Sequence, residues 1–222
     1  AGLPARPSEI EYVACALPDW EGAFNTSLRF KNWSFSMQWD GKVGGMTYSQ
    51  SHHKMCEQGH LAETLNGRKP GTSLYLDIAD PDVLKLFEKQ KITPVAGVYC
   101  IAPGVVDNGD GTYSPNQKLV TLESYYKEYY RIGNVETNTF STTYLKLREV
   151  RLDYQLPKSW LKNTFINNAS VGIYGRNLLC ITSYPMYDPE TTSLDGNTFV
   201  PGVEVGTLPT SRSWGVNLKV DF

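Results

Sequence analysis

The 222-residue sequence lacks any apolar run that approaches the ~20 residues of a membrane-spanning helix. It also lacks an excess of either charge, because 21 Lys and Arg stand against 23 Asp and Glu. This balance argues against a dedicated nucleic-acid binder. Apolar residues make up only 41% of the chain, below the usual ~45–50%. Aromatic residues are instead frequent at 12%, with 14 Tyr among them.

Motifs that would indicate an enzyme are missing as well. The sequence has no GxSxG, HExxH, phosphate-binding or dinucleotide-binding motif. We therefore expect no catalytic residue, no enzymatic activity and no cofactor. No basic segment followed by an apolar one marks a signal peptide at the start, which leaves a cytosolic location, earlier processing or a missing N-terminus open.

The cysteines are few and widely separated, at Cys15, Cys56, Cys100 and Cys180. Without a CxxC pair, a structural zinc site is not expected. The four thiols could form two disulfides in an oxidising compartment or could all remain free, and the sequence leaves both states open.

Alternating apolar and polar residues predict two long strands, near residues 22–31 and 33–48, joined by a turn at Lys31 and Asn32. In the second strand the apolar series is Trp33, Phe35, Met37, Trp39 and Val43, and the polar series is Ser34, Ser36, Gln38, Asp40 and Lys42. Strands of soluble sandwiches also alternate. However, the alternation from Trp33 to Val43 is nearer the ~9–11 residues of a tilted membrane strand than the ~5–6 of an average strand.

Residues 49–143 lose this alternation and are predicted to be a long loop with short helices, either a lobe of its own or a large surface loop. Asp80 and Pro81 precede a helical pattern over VLKLFEKQ, and Thr121 precedes a second one over LESYYKEYY. Between them, DNGDGTY is typical of a hairpin turn.

Alternation returns near residues 144–156, 169–178 and 211–222, with a second long loop at 179–210. The pattern changes phase before Glu149, which predicts a β-bulge, because Leu145 and Leu147 would otherwise lie on the polar side. Short turns alternate with long loops, as in bacterial outer-membrane barrels. The sequence therefore predicts an all-β fold, an antiparallel up-and-down meander of about five long strands that is part of a large transmembrane β-barrel with long extracellular loops.

Six stretches carry a family likeness: FNTSLRFKNWSFSMQWDGKVGG (24–45), GHLAETLNGR (59–68), YLKLREVRLDYQLP (144–157), YGRNL (174–178), YDPE (187–190) and LPTSRSWGVNLKVDF (208–222). In this order they resemble the C-terminal barrel region of SusC/RagA-type TonB-dependent outer-membrane transporters. That family has a plug domain and a barrel of ~22 strands. The resemblance therefore implies a C-terminal portion, a split product or one chain of a split barrel.

The resemblance also implies a location and partners. We expect the outer membrane of a Gram-negative bacterium, with its lipid around the strands. The expected partners are a SusD-like surface lipoprotein, TonB through an N-terminal region absent from this sequence, and the barrel-insertion machinery; nucleic acid is not expected. The expected function is import of a bulky nutrient, a glycan or a peptide.

Within such a barrel, one face of each strand meets lipid and the other meets the lumen. The residues expected to face the membrane are Trp33, Phe35, Met37, Trp39, Val150, Leu152, Tyr154, Trp214, Val216, Leu218 and Val220. The residues expected on the opposite face are Ser36, Gln38, Asp40, Arg151, Asp153, Asn217 and Lys219. In the family, an aromatic C-terminal strand is read by the insertion machinery, which implies that Phe222 is an assembly signal.

Other candidate sites are weaker. His53, Cys56 and His60 have the i, i+3, i+7 spacing of one helix face, but no second ligand pair accompanies them, so no metal site is expected. The Asp107–Gly111 segment resembles a calcium loop without its final acidic residue, and a turn is favoured. Glu149 and Asp153 have the spacing of a glycosidase pair, but Arg151 between them favours a charge ladder.

Tyr125, Tyr126, Tyr129 and Tyr130 could stack on sugar rings or could pack a loop helix, and the sequence leaves both open. Two functions besides energy-coupled import also remain open: a soluble secreted carbohydrate-binding β-sandwich and a passive porin. Neither the substrate nor the oligomeric state can be inferred from the residues.

Overall fold

The computed structural model describes residues 2–5, 9–162, 164–190, 193–195 and 198–222, and the chain divides into two compact units. The sheet unit comprises Ala14–Thr47 and Phe140–Phe222, and the loop lobe comprises Ala1–Val13 and Tyr48–Thr139. Of the two structures that the sequence left open for residues 49–143, a lobe with its own core is therefore the one observed. Among the described residues, no helix combines the length and the apolar character needed to cross a membrane.

In chain order the strands are β1 Pro18–Phe30, β2 Trp33–Gly44, β3 Met46–Ser49, β4 Tyr99–Ile101, β5 Val105–Asp107, β6 Tyr113–Pro115, β7 Leu119–Thr121, β8 Thr139–Ser141, β9 Tyr144–Gln155, β10 Asn168–Thr182, β11 Ser193–Asp195, β12 Thr198–Val200, β13 Val203–Glu204 and β14 Ser213–Asp221. The helices are α1 Gln50–Glu57, α2 Pro81–Gln90, α3 Leu122–Tyr129 and α4 Lys158–Leu161, with 3₁₀ turns at Ala62–Leu65 and Val135–Asn138.

The sheet unit is built on a five-stranded sheet with the order β1-β2-β9-β10-β14. Every neighbouring pair in it is antiparallel, as an up-and-down meander requires. The predicted turn at Lys31 and Asn32 joins β1 to β2, and Lys31 adopts a positive φ of 52°. The Asn32 side-chain amide donates to the Gln155 carbonyl over 2.7 Å, which ties this turn to the third strand of the sheet. Smaller sheets pair β11 with β12 and order β13-β3-β8.

Three predicted strand boundaries need correction. The strand expected over 33–48 ends at Gly44, and Met46–Ser49 is a separate strand in another sheet. Gly44 and Gly45 both have positive φ, 79° and 75°, which breaks the extended backbone between the two strands. The strand expected over 169–178 continues to Thr182, and the one expected to start at residue 22 starts at Pro18.

The predicted β-bulge lies at Arg148. On one side of β9, Gln38 pairs with Glu149 and Trp39 pairs with Leu147, so Arg148 is the extra residue. On the other side of β9, two residues of β10 are skipped between Arg176 and Leu179. The bulge returns Leu145 and Leu147 to the apolar face, because it shifts the period-two pattern by one residue.

The loop lobe has a core of its own, which includes Cys56, Cys100, Leu122 and Tyr126. The two predicted helices, α2 and α3, form in this lobe, and their caps follow the sequence. The Asp80 carboxylate accepts from the backbone N–H of Asp82 at the start of α2. The Thr121 hydroxyl accepts from the backbone N–H of Ser124 at the start of α3. Two short hairpins, β4-β7 and β5-β6, complete the lobe.

Candidate functional site

The register of the five-stranded sheet separates apolar from polar side chains. Directly paired residues lie on the same face of a sheet. The residues that share the apolar face through these pairs are Phe24, Leu28, Phe30, Trp33, Phe35, Met37, Trp39, Leu147, Val150, Leu152, Tyr154, Val171, Ile173, Trp214, Val216, Leu218 and Val220. All eleven residues expected to face a membrane are in this set. They form one continuous apolar face across five strands.

This apolar face is open to the surroundings. Trp214, Val216 and Leu218 are 72%, 73% and 70% exposed, and Phe24 and Leu28 on the far edge are also exposed. An exposed apolar surface of this kind marks an interaction with a partner or with lipid. Phe222, just beyond β14, stacks on Phe165 with ring centroids 5.6 Å apart.

The opposite face carries a ladder of charged and polar side chains. Arg151 and Asp153 form an ion pair, with Arg151 Nε 2.6 Å from a carboxylate oxygen. The Asn217 amide donates to the same carboxylate over 3.3 Å. Glu149 pairs instead with Arg176 of β10 at 2.8 Å. The two carboxylates thus have separate cationic partners, which is the charge ladder that the sequence favoured over a glycosidase pair.

A denser ion network lies at the end of the sheet where β9 begins. Arg148, aimed by the bulge, binds Asp40 of β2 in bidentate fashion, with N–O distances of 2.5 and 2.7 Å. Arg148 also pairs with Glu190. Tyr144 donates to Glu190 over 2.8 Å. The network therefore joins strands β2 and β9 to the segment that carries the YDPE motif.

Lys146 is the buried centre of this network, with only 3% of its side chain exposed. Its ammonium group is 2.6 Å from Asp188, which is 5% exposed, and it also pairs with Glu190. Burial alone would raise the pKa of Asp188, but hydrogen bonds from Lys146 and Thr210 lower this pKa to about 2. The sequence analysis did not predict this network, although Asp40, Lys146 and the YDPE motif all lie in stretches that it singled out.

The four tyrosines considered for sugar stacking lie on and next to α3. Tyr125, Tyr126 and Tyr130 are buried, at 7%, 3% and 8% exposure. Tyr126 donates to the Asn66 carbonyl over 2.6 Å, and half-buried Tyr129 stacks on Tyr125. Burial raises the pKa of both Tyr125 and Tyr126 to about 12. The sugar-stacking interpretation is therefore corrected for Tyr125, Tyr126 and Tyr130, because their rings fill the core of the lobe.

The His and Cys residues of the lobe form a different group from the one that the spacing suggested. His60 is exposed, and the His53 ring accepts from or donates to Tyr48 Oη over 2.8 Å. His52 instead meets Cys56 and Glu63, with their ligand atoms all within 4.8 Å of one another. Sequence reasoning missed Glu63, which lies beyond the helix that carries the other two residues.

The remaining candidates are structural. Asp107–Tyr113 is the β5-β6 hairpin turn, in which Asp110 accepts from both the backbone and the hydroxyl of Thr112. No disulfide links the cysteines of the described chain: Cys15 and Cys180 are exposed, and Cys56 and Cys100 are buried.

Comparisons with known proteins agree with this architecture. No protein-family model matches the chain. Two curated relatives from Formosa agariphila do: TonB-dependent receptor P3, 23% identical over 92% of this chain, and TonB-dependent receptor P26, 23% identical over 93%. These alignments cover 16% and 17% of the relatives, so the chain spans about a sixth of their length.

Solved structures show the same fold. The RagAB peptide importer in the "closed-closed" state superposes with a TM-score of 0.57 and 17% identity, over 93% of this chain and 18% of that one. Its "open-open" state gives a TM-score of 0.51 with 16% identity, over 93% and 17% of the two chains. The ordered sequence motifs, the curated relatives and the two-faced antiparallel sheet make this chain similar to part of a SusC/RagA-type TonB-dependent transporter.

Proposed function

We propose that this chain supplies barrel strands and an extracellular loop lobe to an outer-membrane transporter that imports a bulky nutrient, a peptide or a glycan, by TonB-dependent uptake. The observation that carries this proposal is the five-stranded sheet with one apolar and one ion-paired face. A transmembrane barrel needs this division, because one face contacts lipid and the other lines a polar interior. Peptide import by the similarly folded RagAB supports a substrate of that size class.

In this proposal the apolar row contacts outer-membrane lipid. The side chains assigned to lipid are the eleven predicted ones, from Trp33 on β2 to Val220 on β14. Phe222 belongs to the strand that the barrel-insertion machinery recognises. A SusD-like surface lipoprotein and TonB complete the system, as the family resemblance implies.

The ion network has a place in the same proposal. Asp188 and Glu190 lie in the long loop after β10, and both pair with Lys146 on β9. The network holds this loop against the polar face of the sheet at the end where the long loops emerge. It thereby shapes the outer mouth of the barrel, where a bulky nutrient enters.

Uptake by cells tests the proposal. A strain that lacks the transporter gene is complemented with the complete transporter, and uptake of labelled peptides and of labelled oligosaccharides is measured separately. We expect saturable uptake of one of the two classes that is lost when TonB is deleted. Equal uptake with and without TonB would support a passive porin and overturn the proposal.

A second measurement addresses the soluble β-sandwich. A sandwich buries the apolar face of its sheet against a second sheet, whereas the row from Trp214 to Leu218 is largely exposed. We therefore expect the isolated chain to aggregate without detergent. A monodisperse monomer that melts cooperatively in plain buffer would contradict the membrane assignment.

A further inference from the structure

His52, Cys56 and Glu63 converge inside the loop lobe. His52 and Cys56 are one turn apart on α1, so both project from the same face of the helix. The helix is fixed at its start by Ser49, whose hydroxyl accepts from the backbone N–H of His52 over 3.1 Å. The chain then turns at Gly59, with φ of 76°, and the following 3₁₀ turn returns Glu63 to this face.

The spacing of the three ligand atoms matches the edges of a metal tetrahedron. His52 Nε2 lies 3.3 Å from Glu63 Oε2 and 3.6 Å from Cys56 Sγ, and Sγ lies 3.9 Å from Oε2. Tetrahedral zinc with bonds of ~2.0–2.1 Å to N and O and ~2.3 Å to S separates its ligands by about 3.3–3.6 Å. Two of the three separations fall in this range, and a shift of a few tenths of an ångström brings in the third.

A hydrogen bond from Asn138 orients the histidine for this role. The Asn138 amide nitrogen donates to the Tyr130 carbonyl over 2.8 Å, which turns its oxygen towards His52. That oxygen is 2.9 Å from His52 Nδ1, so Nδ1 carries the proton and Nε2 is directed at the sulfur and the carboxylate. Metal-binding histidines are typically held by such a bond to the second ring nitrogen. Asn138 itself is fully buried.

Burial differs among the three ligands in a way that allows an ion to enter. His52 and Cys56 are 1% and 0% exposed, while the Glu63 side chain is 52% exposed. The carboxylate therefore forms the solvent side of the group. The donor set of imidazole, thiolate and carboxylate favours zinc, since calcium and magnesium prefer sites made of oxygen ligands alone.

We propose that His52, Cys56 and Glu63 form a zinc site within the loop lobe, with a water molecule as the fourth ligand on the exposed side. Binding replaces the thiol proton by the metal and releases that proton to solvent. The bound ion ties α1 to the 3₁₀ turn that follows it, and Asn138 extends the link to the segment after α3. The site is therefore a structural staple of the lobe, and it is independent of which nutrient the transporter carries.

Metal binding by the complete transporter, purified in detergent and stripped with EDTA, tests the proposal. After the stripped protein is incubated with Zn²⁺ and dialysed, elemental analysis should find one zinc ion in the parent protein that the Cys56→Ser variant lacks. Cys100→Ser is the matched control, because Cys100 is equally buried in the same core but is not part of the group. Asn138→Ala should bind zinc about 10- to 100-fold more weakly.

Cobalt provides a readout that does not depend on the folding of any variant. In the parent protein, Co²⁺ should give the thiolate-to-metal charge-transfer band and the intense visible bands of a tetrahedral site. A parent spectrum without the thiolate band would overturn the proposal. Retention of zinc by Cys56→Ser at the parent level would overturn it as well, because the ion would then be held elsewhere.

Discussion

A positive charge placed at either of two adjacent positions of β14 should distinguish the two faces of the sheet. Val216 lies on the apolar face, paired with Ile173, and Asn217 lies on the polar face, paired with Gly172. Both are near the centre of Ser213–Asp221. At ~3.4 Å per residue and a strand tilt of ~40°, each position lies within about 3 Å of the midplane of a membrane centred on this strand.

The expected cost follows from this depth. An arginine on the lipid face near the midplane costs about 2–4 kcal/mol. Val216→Arg should therefore lower the folding equilibrium constant about 30- to 700-fold. Asn217→Arg should change stability by no more than about 0.5 kcal/mol, because its side chain reaches the polar interior beside Asp153. The Asn217 amide is already 3.3 Å from that carboxylate.

The assay is denaturant unfolding of the complete transporter in phospholipid vesicles, together with the amount recovered in the outer-membrane fraction. Val216→Leu serves as the conservative control at the first position. Equal losses for Val216→Arg and Asn217→Arg, or a larger loss for Asn217→Arg, would refute the assignment of the apolar face to lipid.

Three further outcomes are expected. Lys146→Met should destabilise the transporter by about 3–5 kcal/mol, because it leaves the buried Asp188 carboxylate without its cation, whereas exposed Lys219→Met should be nearly neutral in the same unfolding assay. The pKa of Asp188 is lowered to about 2 in the folded protein, so its stabilisation of about 2–3 kcal/mol should be complete above about pH 4 and lost towards pH 2; an acid-unfolding curve of Asp188→Asn that matches the parent would contradict this. Phe222→Ala should reduce the amount in the outer membrane while the inserted fraction transports nearly normally, and unchanged amounts by fractionation would count against its role in assembly.

The five-stranded sheet could be predicted from the sequence, because the face on which each residue lies follows from its neighbours in the same strand. Alternation within a strand reports the face of each residue, and the change of phase before Glu149 was enough to predict the bulge. The end of β10 was missed because Asn177, with a positive φ of 51°, and Leu178 interrupt the alternation, which resumes with Leu179 on the same face as Ile173. The interruption of the pattern was therefore taken as the end of the strand, although the strand continues to Thr182.

The loop lobe and the ion network could not be predicted in the same way. His52 and Asn138 are 86 residues apart, and Lys146 and Asp188 are 42 apart. Such pairings depend on how loops without periodic sequence fold back on themselves, which no local spacing records. The helix spacing also suggested His53 and His60, because it could not show which face of α1 packs into the lobe.

The bulge at Arg148 has a consequence for how substitutions would be tolerated along β9. Towards Gln155 the apolar face is formed by even-numbered residues, such as Val150 and Leu152; towards Tyr144 it is formed by odd-numbered residues, Leu147 and Leu145. One charged residue can be introduced at each position of β9 in turn. We expect the charge to be harmful at even-numbered positions after residue 148 and at odd-numbered positions before it, so the parity of the sensitive positions inverts at residue 148. Deletion of Arg148 would remove the extra residue, so that Glu149, Leu147 and Lys146 alternate regularly opposite Gln38, Trp39 and Asp40 and Lys146 stays on the polar face. This deletion should thus preserve the apolar and polar faces of β9 and abolish the inversion of parity, with the loss of the Arg148 ion pairs to Asp40 and Glu190.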